Sequence, residues 1–284
     1  MPADSNAEQI ADWNGVMGQQ WAGMQRETDA VVAPFGNAAL HRAAPRPGER
    51  VIDIGCGCGD TSIEIARRVG ERGTVLGVDV SQPMLAVARA QGALGRHTNL
   101  EFRDADASEA ELPPNTDLLF SRFGVMFFSQ PIAAFSHMRK SLRAGGRCVF
   151  VCWRAPRDNA WAMAPLSAAR AAMGVTPPPA DPNAPGPFAF ADDARLRAIL
   201  EGAGFGSVDI QRFDTSVTLG ATALDAAERA LRFGPASRFV REMGMEHVPR
   251  VRDAIEQAFA QLAASDGRVL VDGSAWIVSA MNAG

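Results

Sequence analysis

Residues 51–61 read VIDIGCGCGDT, an apolar run that enters a cluster of three glycines, Gly55, Gly57 and Gly59. A strand that leads into glycines and then a helix is typical of loops whose backbone turns sharply and approaches a ligand closely. A phosphate-binding P-loop needs a lysine after its glycines, and this stretch has none. A dinucleotide fingerprint needs glycine at Asp60, where an acid at the helix N-terminus would instead repel a pyrophosphate. The loop therefore predicts a ligand that places no phosphate there.

Strands and helices alternate around this loop. We predict strands at residues 50–54, 74–79, 99–103, 117–121, 147–153, 207–216 and 270–281. We predict helices at 8–31, 61–69, 81–91 with Ser81 as N-cap, 130–143 ended by Gly145-Gly146, 159–173, 191–203, 221–233 and 249–264. A proline-rich loop is expected at 175–188. Apolar strands that alternate with helices indicate an α/β protein with a doubly wound, Rossmann-like parallel sheet.

Acidic residues follow the next two predicted strands. Asp79 lies 20 residues beyond Gly59, where a carboxylate can accept hydrogen bonds from two ribose hydroxyls. Asp106 follows the third strand and can accept from the exocyclic amine of adenine, although Asp104 could take the same role. Asp53, in the first predicted strand, could simply cap the turn that follows it.

The chain resembles the class I S-adenosylmethionine-dependent methyltransferases. The matching motifs, in order, are VIDIGCGCG, GVDVSQPML, RDADA, DLLFSRFGVMFF and LRAGGRCVFVCWR. The N-terminal W-N-x-x-x-G-x-x-W pattern and the C-W-R that ends the fifth strand are similar to the small-molecule subgroup, which is UbiE-like or methyltransferase type 11-like. The resemblance implies a seven-stranded sheet with an antiparallel last strand and S-adenosylmethionine as cofactor.

The resemblance also assigns cofactor contacts. Asp53, Gly55, Cys56 and Gly57 would surround the methionine part and the ribose, and Asp79 would hold the ribose hydroxyls. Val80 would pack on the adenine, whose edge Asp106 and the Ala107 amide would recognise, and Ser121 would contact the amino-acid end. We expect Cys56 and Cys58 to be small loop fillers and assign no metal ligand.

We expect one methyltransferase domain over 1–284, with parts defined as follows. They are an N-terminal helical cover (1–44), a cofactor-binding core (45–155), lid insertions (156–190 and 217–268), and the final helix and strands of the core (191–216 and 269–284). Aromatic and methionine residues in the lid suit an apolar or aromatic acceptor. The candidate acceptor contacts are Trp13, Trp21, Arg122, Trp153 and Trp161, each with a structural alternative: a core position for the tryptophans, a salt bridge for Arg122.

Composition narrows the function further. The net charge of −4 argues against a nucleic-acid partner, and no apolar run reaches membrane-spanning length. The chain has no tyrosine and one lysine, Lys140, so neither a tyrosine base nor a P-loop is available. The acidic N-terminus lacks the pattern of a signal peptide, so we expect a cytoplasmic monomer or homodimer.

The main hypothesis is a methyltransferase that acts on a small molecule, with no catalytic base assigned. Two alternatives stay open. One is a cofactor-bound protein that does not methylate, such as a cyclase or an interaction module. The other is a nicotinamide-dependent oxidoreductase, against which Asp60 argues.

Overall fold

The structure is a computed structural model that describes residues 5–176, 181 and 184–284. Its strands are β1 (Arg50–Ile54), β2 (Thr74–Asp79), β3 (Leu100–Asp104), β4 (Thr116–Arg122), β5 (Leu142–Trp153), β6 (Phe205–Gly220) and β7 (Val269–Asn282). Its α-helices are α1 (Ser5–Asn14), α2 (Val16–Gly23), α3 (Gln25–Ala43), α4 (Asp60–Val69), α5 (Gln82–Leu94), α6 (Pro131–Arg139), α7 (Ala160–Met173), α8 (Asp193–Gly202), α9 (Ala223–Ala230), α10 (Pro235–Met243) and α11 (Val248–Ala260).

The strands form one sheet in the order β3-β2-β1-β4-β5-β7-β6. Strands β1 to β5 pair in parallel, whereas β7 runs antiparallel to β5. This confirms the predicted seven-stranded sheet with an antiparallel last strand. The chain order reverses between β1 and β4, and the crevice outside the carboxyl ends of strands at such a point is where α/β sheets bind ligands.

Two predicted helices differ from those observed. The single helix expected over 8–31 is three helices, because the backbone leaves helical geometry at Gly15 and Met24. The prediction that Gly145-Gly146 ends a helix at residue 143 is wrong. Helix α6 ends at Arg139, and the two glycines belong to β5, where a register shift opposite β4 bulges the strand and Gly145 takes a φ of 71°.

The described chain divides into two compact units. The first comprises residues 5–153, 184–213 and 275–284 and holds the parallel sheet. Its largest buried side chains are Phe35, Phe120, Phe135, Phe150, Phe190, Ile52, Ile65 and Leu85.

The second unit comprises residues 154–176, 181 and 214–274. Within it α7 packs on α10 and α11, and α9 packs on α11. Part of the predicted proline-rich loop, residues 177–180 and 182–183, lies outside the described residues. No helix in the part of the chain that the structure describes combines the length and apolarity of a bilayer crossing.

Candidate active site

The glycine loop, residues 55–59, leaves β1 at the point where the strand order reverses. A Cβ atom on Gly55 would lie 2.7 Å from the Cα of Gly124, so the loop touches the turn after β4 with no space for a side chain. The hydroxyl of Ser121 fastens this contact, because its Oγ donates to the Ile54 carbonyl at 2.7 Å and accepts from the Gly124 amide at 3.1 Å. The loop is thereby fixed against two strands.

Asp79 joins the glycine loop to the turn between β2 and α5. Its Oδ2 accepts the Gly57 N–H at 2.7 Å, and its Oδ1 accepts the Ser81 N–H at 2.8 Å. Burial raises the pKa of this carboxyl, and the two backbone hydrogen bonds oppose the shift. The carboxylate that is predicted to hold the ribose therefore also holds the two loops together.

Asp53 is the most deeply buried acid near the glycine loop. Its Oδ2 accepts the hydroxyls of Thr61 at 2.7 Å and Ser62 at 2.6 Å, so it contacts two side chains in the first turn of α4 and does not cap the backbone N–H groups of that helix. Its Oδ1 is buried and has no hydrogen-bond partner among the described residues. Burial raises the pKa of Asp53 to about 6, although the two hydroxyls and the charge of Arg122 lower it. One oxygen of this buried carboxylate thus has no donor among the described residues.

Asp106 and Asp104 are now distinguished by position. Asp106 is half-buried and accepts from the backbone and hydroxyl of Ser108 through Oδ1, and from the amide of Asn6 through Oδ2. Asp104 is exposed at the end of β3 and accepts from the Gln82 side chain at 3.0 Å. The partial burial of Asp106 favours it over Asp104 as the candidate for the adenine edge.

The N-terminal helices attach to the same β2–α5 turn. Ser81 occupies the N-cap position of α5, as predicted, but its hydroxyl makes no capping bond and donates instead to the Trp13 carbonyl at 2.7 Å. The side chain of Asn14 replaces it, accepting the Gln82 N–H at 3.0 Å and donating to the Val80 carbonyl at 2.8 Å. A residue far away in sequence therefore caps this helix.

The tryptophans of the W-N-x-x-x-G-x-x-W pattern pack on each other and on the turn after β4. Trp13 contacts Trp21 edge-on at 5.8 Å and Phe127 edge-on at 5.3 Å between ring centroids. A Cβ on Gly18 would lie 1.9 Å from the Trp13 carbonyl oxygen, which explains the glycine of the pattern. Both tryptophans lie on helices that contact the candidate cofactor loops.

Arg122, at the end of β4, forms ion pairs with Asp29 at 2.6 Å and Asp60 at 3.4 Å, and its side chain is 14% exposed. A Cβ on Gly36 would lie 2.8 Å from the Arg122 Cδ, so α3 packs directly against this side chain. This agrees with the salt-bridge alternative for Arg122. The guanidinium balances the acid at the start of α4.

Phe123 is a feature that the sequence reasoning missed. Its backbone has a φ of 62°, and its N–H donates to the Val151 carbonyl at 3.0 Å. Its ring stacks on Trp153 with 4.1 Å between centroids and 15° between planes, and Phe35 meets both rings edge-on. An aromatic residue directly after a strand end at the ligand edge was the available signal.

The structure places the predicted cofactor residues in the first unit. Those residues are Asp53, Gly55, Cys56, Gly57, Asp79, Val80, Asp106, Ala107 and Ser121. Trp13, Trp21, Arg122 and Trp153 belong to the same unit. Trp161 belongs to the second unit, where it stacks on Phe233 and its indole N–H donates to Asn159 at 3.0 Å.

The loop cysteines are buried and unreactive in character. Burial raises the pKa of the Cys56 thiol well above its usual value and that of Cys58 to about 12. Both thiols are therefore protonated at neutral pH, and a thiolate nucleophile is not expected here. Across the described residues, no group of three or more histidine, cysteine or acidic side chains has the arrangement of a metal site.

Comparison with known proteins agrees with this geometry. Residues 51–146 match a family model described as a methyltransferase domain. The ubiquinone/menaquinone biosynthesis C-methyltransferase UbiE of Teredinibacter turnerae is 34% identical over 119 residues, which cover 40% of this chain and 47% of that protein. Aklanonic acid methyltransferase DauC of a Streptomyces species is 31% identical over 118 residues, covering 41% of this chain and 54% of that protein. The chain spans about half the length of these curated relatives.

A solved structure extends the likeness over most of the chain. A crystal structure described as a putative methyltransferase from Bacillus halodurans superposes with a TM-score of 0.58 at 18% identity. The match covers 88% of this chain and 99% of that one. At this identity the likeness concerns the fold.

Proposed function

We propose that this chain, in which residues 51–146 match a methyltransferase domain, transfers the methyl group of S-adenosylmethionine to a small, apolar or aromatic acceptor. The observation that carries this proposal is a pair of carboxylates at the point where the strand order reverses. Asp53 offers an unpartnered buried oxygen there, and Asp79 lies at the end of the neighbouring strand. Relatives named for quinone biosynthesis and for aklanonic acid support an acceptor that is a small molecule.

These residues fit the cofactor chemically. A buried carboxylate oxygen without a donor suits an ammonium group such as that of the methionine part, and we assign this role to Asp53. Asp79 and Val80 would hold the ribose and the adenine face, and Asp106 and the Ala107 amide the adenine edge. Ser121 donates its hydroxyl proton to the Ile54 carbonyl and accepts from the Gly124 amide, and we assign the contact with the amino-acid end to its backbone carbonyl.

When bound, S-adenosylmethionine would supply a methyl group on a sulfonium. The methyl group would pass to the electron pair of the acceptor, the two electrons of the broken S–CH₃ bond would stay on sulfur in S-adenosylhomocysteine, and a proton released by the acceptor would go to water. The protein's part is to position and desolvate the reactants. A base is needed only when the acceptor holds its proton at neutral pH.

Three expectations remain predictions. They are the roles of 156–190 and 217–268 as lids, the single-domain organisation and the oligomeric state.

Titration calorimetry with S-adenosylhomocysteine and S-adenosylmethionine tests the cofactor assignment, and micromolar binding is expected. Mass spectrometry of the reaction with candidate acceptors then tests transfer. Binding without transfer to any component of a cell extract would favour the non-methylating alternative. If the protein binds neither compound, the proposal is wrong.

A further inference from the structure

The backbone of Phe123 adopts a conformation that is uncommon for a bulky residue. Its φ of 62° lies in the left-handed region, where a Cβ crowds the following carbonyl. The bond from its N–H to the Val151 carbonyl holds this conformation against β5. Such outliers persist where the surroundings enforce them, and they concentrate at ligand clamps and active sites.

The position of Phe123 is that of a ligand contact. It follows the last residue of β4 and precedes Gly124, whose Cα would lie 2.7 Å from a Cβ on Gly55 of the glycine loop. Trp153 ends β5, which pairs in parallel with β4. Both rings therefore stand at the carboxyl edge of the sheet, beside the loop that we assign to the cofactor.

Phe123 is the least buried of three aromatic residues that pack together. Trp153 is 5% exposed and Phe35 is fully buried, whereas Phe123 is only partly buried. Trp153 lies nearly parallel to Phe123, and Phe35 fixes both rings edge-on. The neighbouring Arg122 is paired with Asp29 and Asp60. Phe123 thus adds a partly exposed apolar ring to this edge of the sheet.

We infer that Phe123 is a specificity-determining residue, the wall against which a planar, uncharged aromatic acceptor such as a phenol or quinol stacks. The inference rests on the proposed function, because it needs a cofactor in the adjoining loop. Offset stacking on an immobilised ring favours a flat partner over a puckered one of the same size. Because Trp153 and Phe35 already pack against Phe123, its ring does not have to be ordered when the acceptor binds.

The test compares two probes with one skeleton, 2-naphthol and decahydro-2-naphthol, binding to the full chain saturated with S-adenosylhomocysteine. Calorimetry is done on the wild type, Phe123→Leu, Phe123→Tyr and the control Phe213→Leu. Phe213 is a partly buried ring of the same cluster, edge-on to Phe35 at 5.7 Å. We expect the wild type to prefer 2-naphthol and Phe123→Leu to reduce that preference about 3- to 10-fold. Phe123→Tyr and Phe213→Leu should retain it.

Several outcomes would overturn the inference. One is a wild type that binds S-adenosylhomocysteine but shows no preference for 2-naphthol, and another is a Phe123→Leu variant that keeps the preference. A Phe123→Leu variant that loses affinity for S-adenosylmethionine, but not for S-adenosylhomocysteine, which lacks the sulfonium charge, would place the ring against the sulfonium instead. A wild type that binds no S-adenosylhomocysteine contradicts the proposed function first, which separates the two failures.

Discussion

Replacing Asp79 by asparagine tests the cofactor assignment most directly. The carboxylate accepts the Gly57 N–H through one oxygen and the Ser81 N–H through the other. An amide keeps one of these acceptors and turns an NH₂ group toward the other N–H donor. The same change removes the charged acceptor that is proposed for the ribose hydroxyls.

Two magnitudes follow for the Asp79→Asn variant. Losing a hydrogen bond to a charged group and leaving one donor unpaired lowers the free energy of unfolding by about 1–3 kcal/mol. Because burial raises the pKa of Asp79, the neutral amide recovers part of this, and we expect the lower end of that range. Losing the ribose contacts should cost binding about 1–3 kcal/mol, or about 5- to 150-fold in Kd.

The assay pairs urea denaturation with calorimetric titration of S-adenosylhomocysteine, at a temperature where the proteins are folded. The matched control is Asp117→Asn, near the amino end of β4 and therefore away from the carboxyl ends of the strands. Asp117 also accepts a backbone N–H, from Arg50 at 2.8 Å, and it pairs with Arg143 at 2.6 Å. This control should lose stability and keep its affinity.

One pattern of results would refute the reasoning. If Asp79→Asn binds S-adenosylhomocysteine as tightly as the wild type, the carboxylate does not contact the cofactor. If Asp79→Asn and Asp117→Asn lose the same affinity, the loss reports general destabilisation. A large stability loss together with wild-type affinity would leave Asp79 as a loop tether.

Three further predictions concern the same loops. Because the pKa of Asp53 is raised to about 6, the folded state binds more protons than the unfolded state between about pH 4 and 6. The stability of the wild type relative to Asp53→Asn should therefore fall by up to about 3 kcal/mol as the pH rises through that window. Urea titrations at several pH values check this, and a constant difference would contradict it. Gly55→Ala should lose about 1–3 kcal/mol of stability in thermal melts, because its φ of 65° is strained for alanine and its Cβ would collide with the turn after β4. Gly23→Ala should lose none, because nothing lies within 4 Å of the added Cβ. Asp106→Asn should weaken binding of S-adenosylhomocysteine about 5- to 30-fold in calorimetry and Asp104→Asn less than about 2-fold; the reverse order would move the adenine contact to Asp104.

Much of the fold follows from local sequence patterns. The strand before the glycine loop and the helix after it were predicted within a residue, because apolar runs and glycines act locally. Helix α10 was missed, since Gly234-Pro235 also reads as a turn, although proline is well tolerated in the first turn of a helix. The Gly145-Gly146 bulge depends on register with β4, which no local pattern gives.

The places of the candidate acids in the fold were predictable from the sequence, whereas the side chains that contact the candidate site residues were not. The positions of Asp53 and Asp79 follow from strand ends and spacing. The pairing of Arg122 with Asp29 joins residues 93 positions apart, and the contact between Gly55 and Gly124 needs the strand order. Phe123 combines a left-handed backbone with a hydrogen bond to β5, and its residue type gives no sign of either.

The cap that Asn14 gives to α5 makes one backbone amide a reporter. The Gln82 N–H donates a hydrogen bond to the side-chain oxygen of Asn14, which lies 68 positions earlier in the chain. Whenever the N-terminal helices lift from the turn, that amide loses its partner and its hydrogen exchanges with solvent, while amides deeper in α5 keep their helical bonds. The exchange rate of Gln82, compared with that of its helical neighbours, therefore measures how often the N-terminal cover opens.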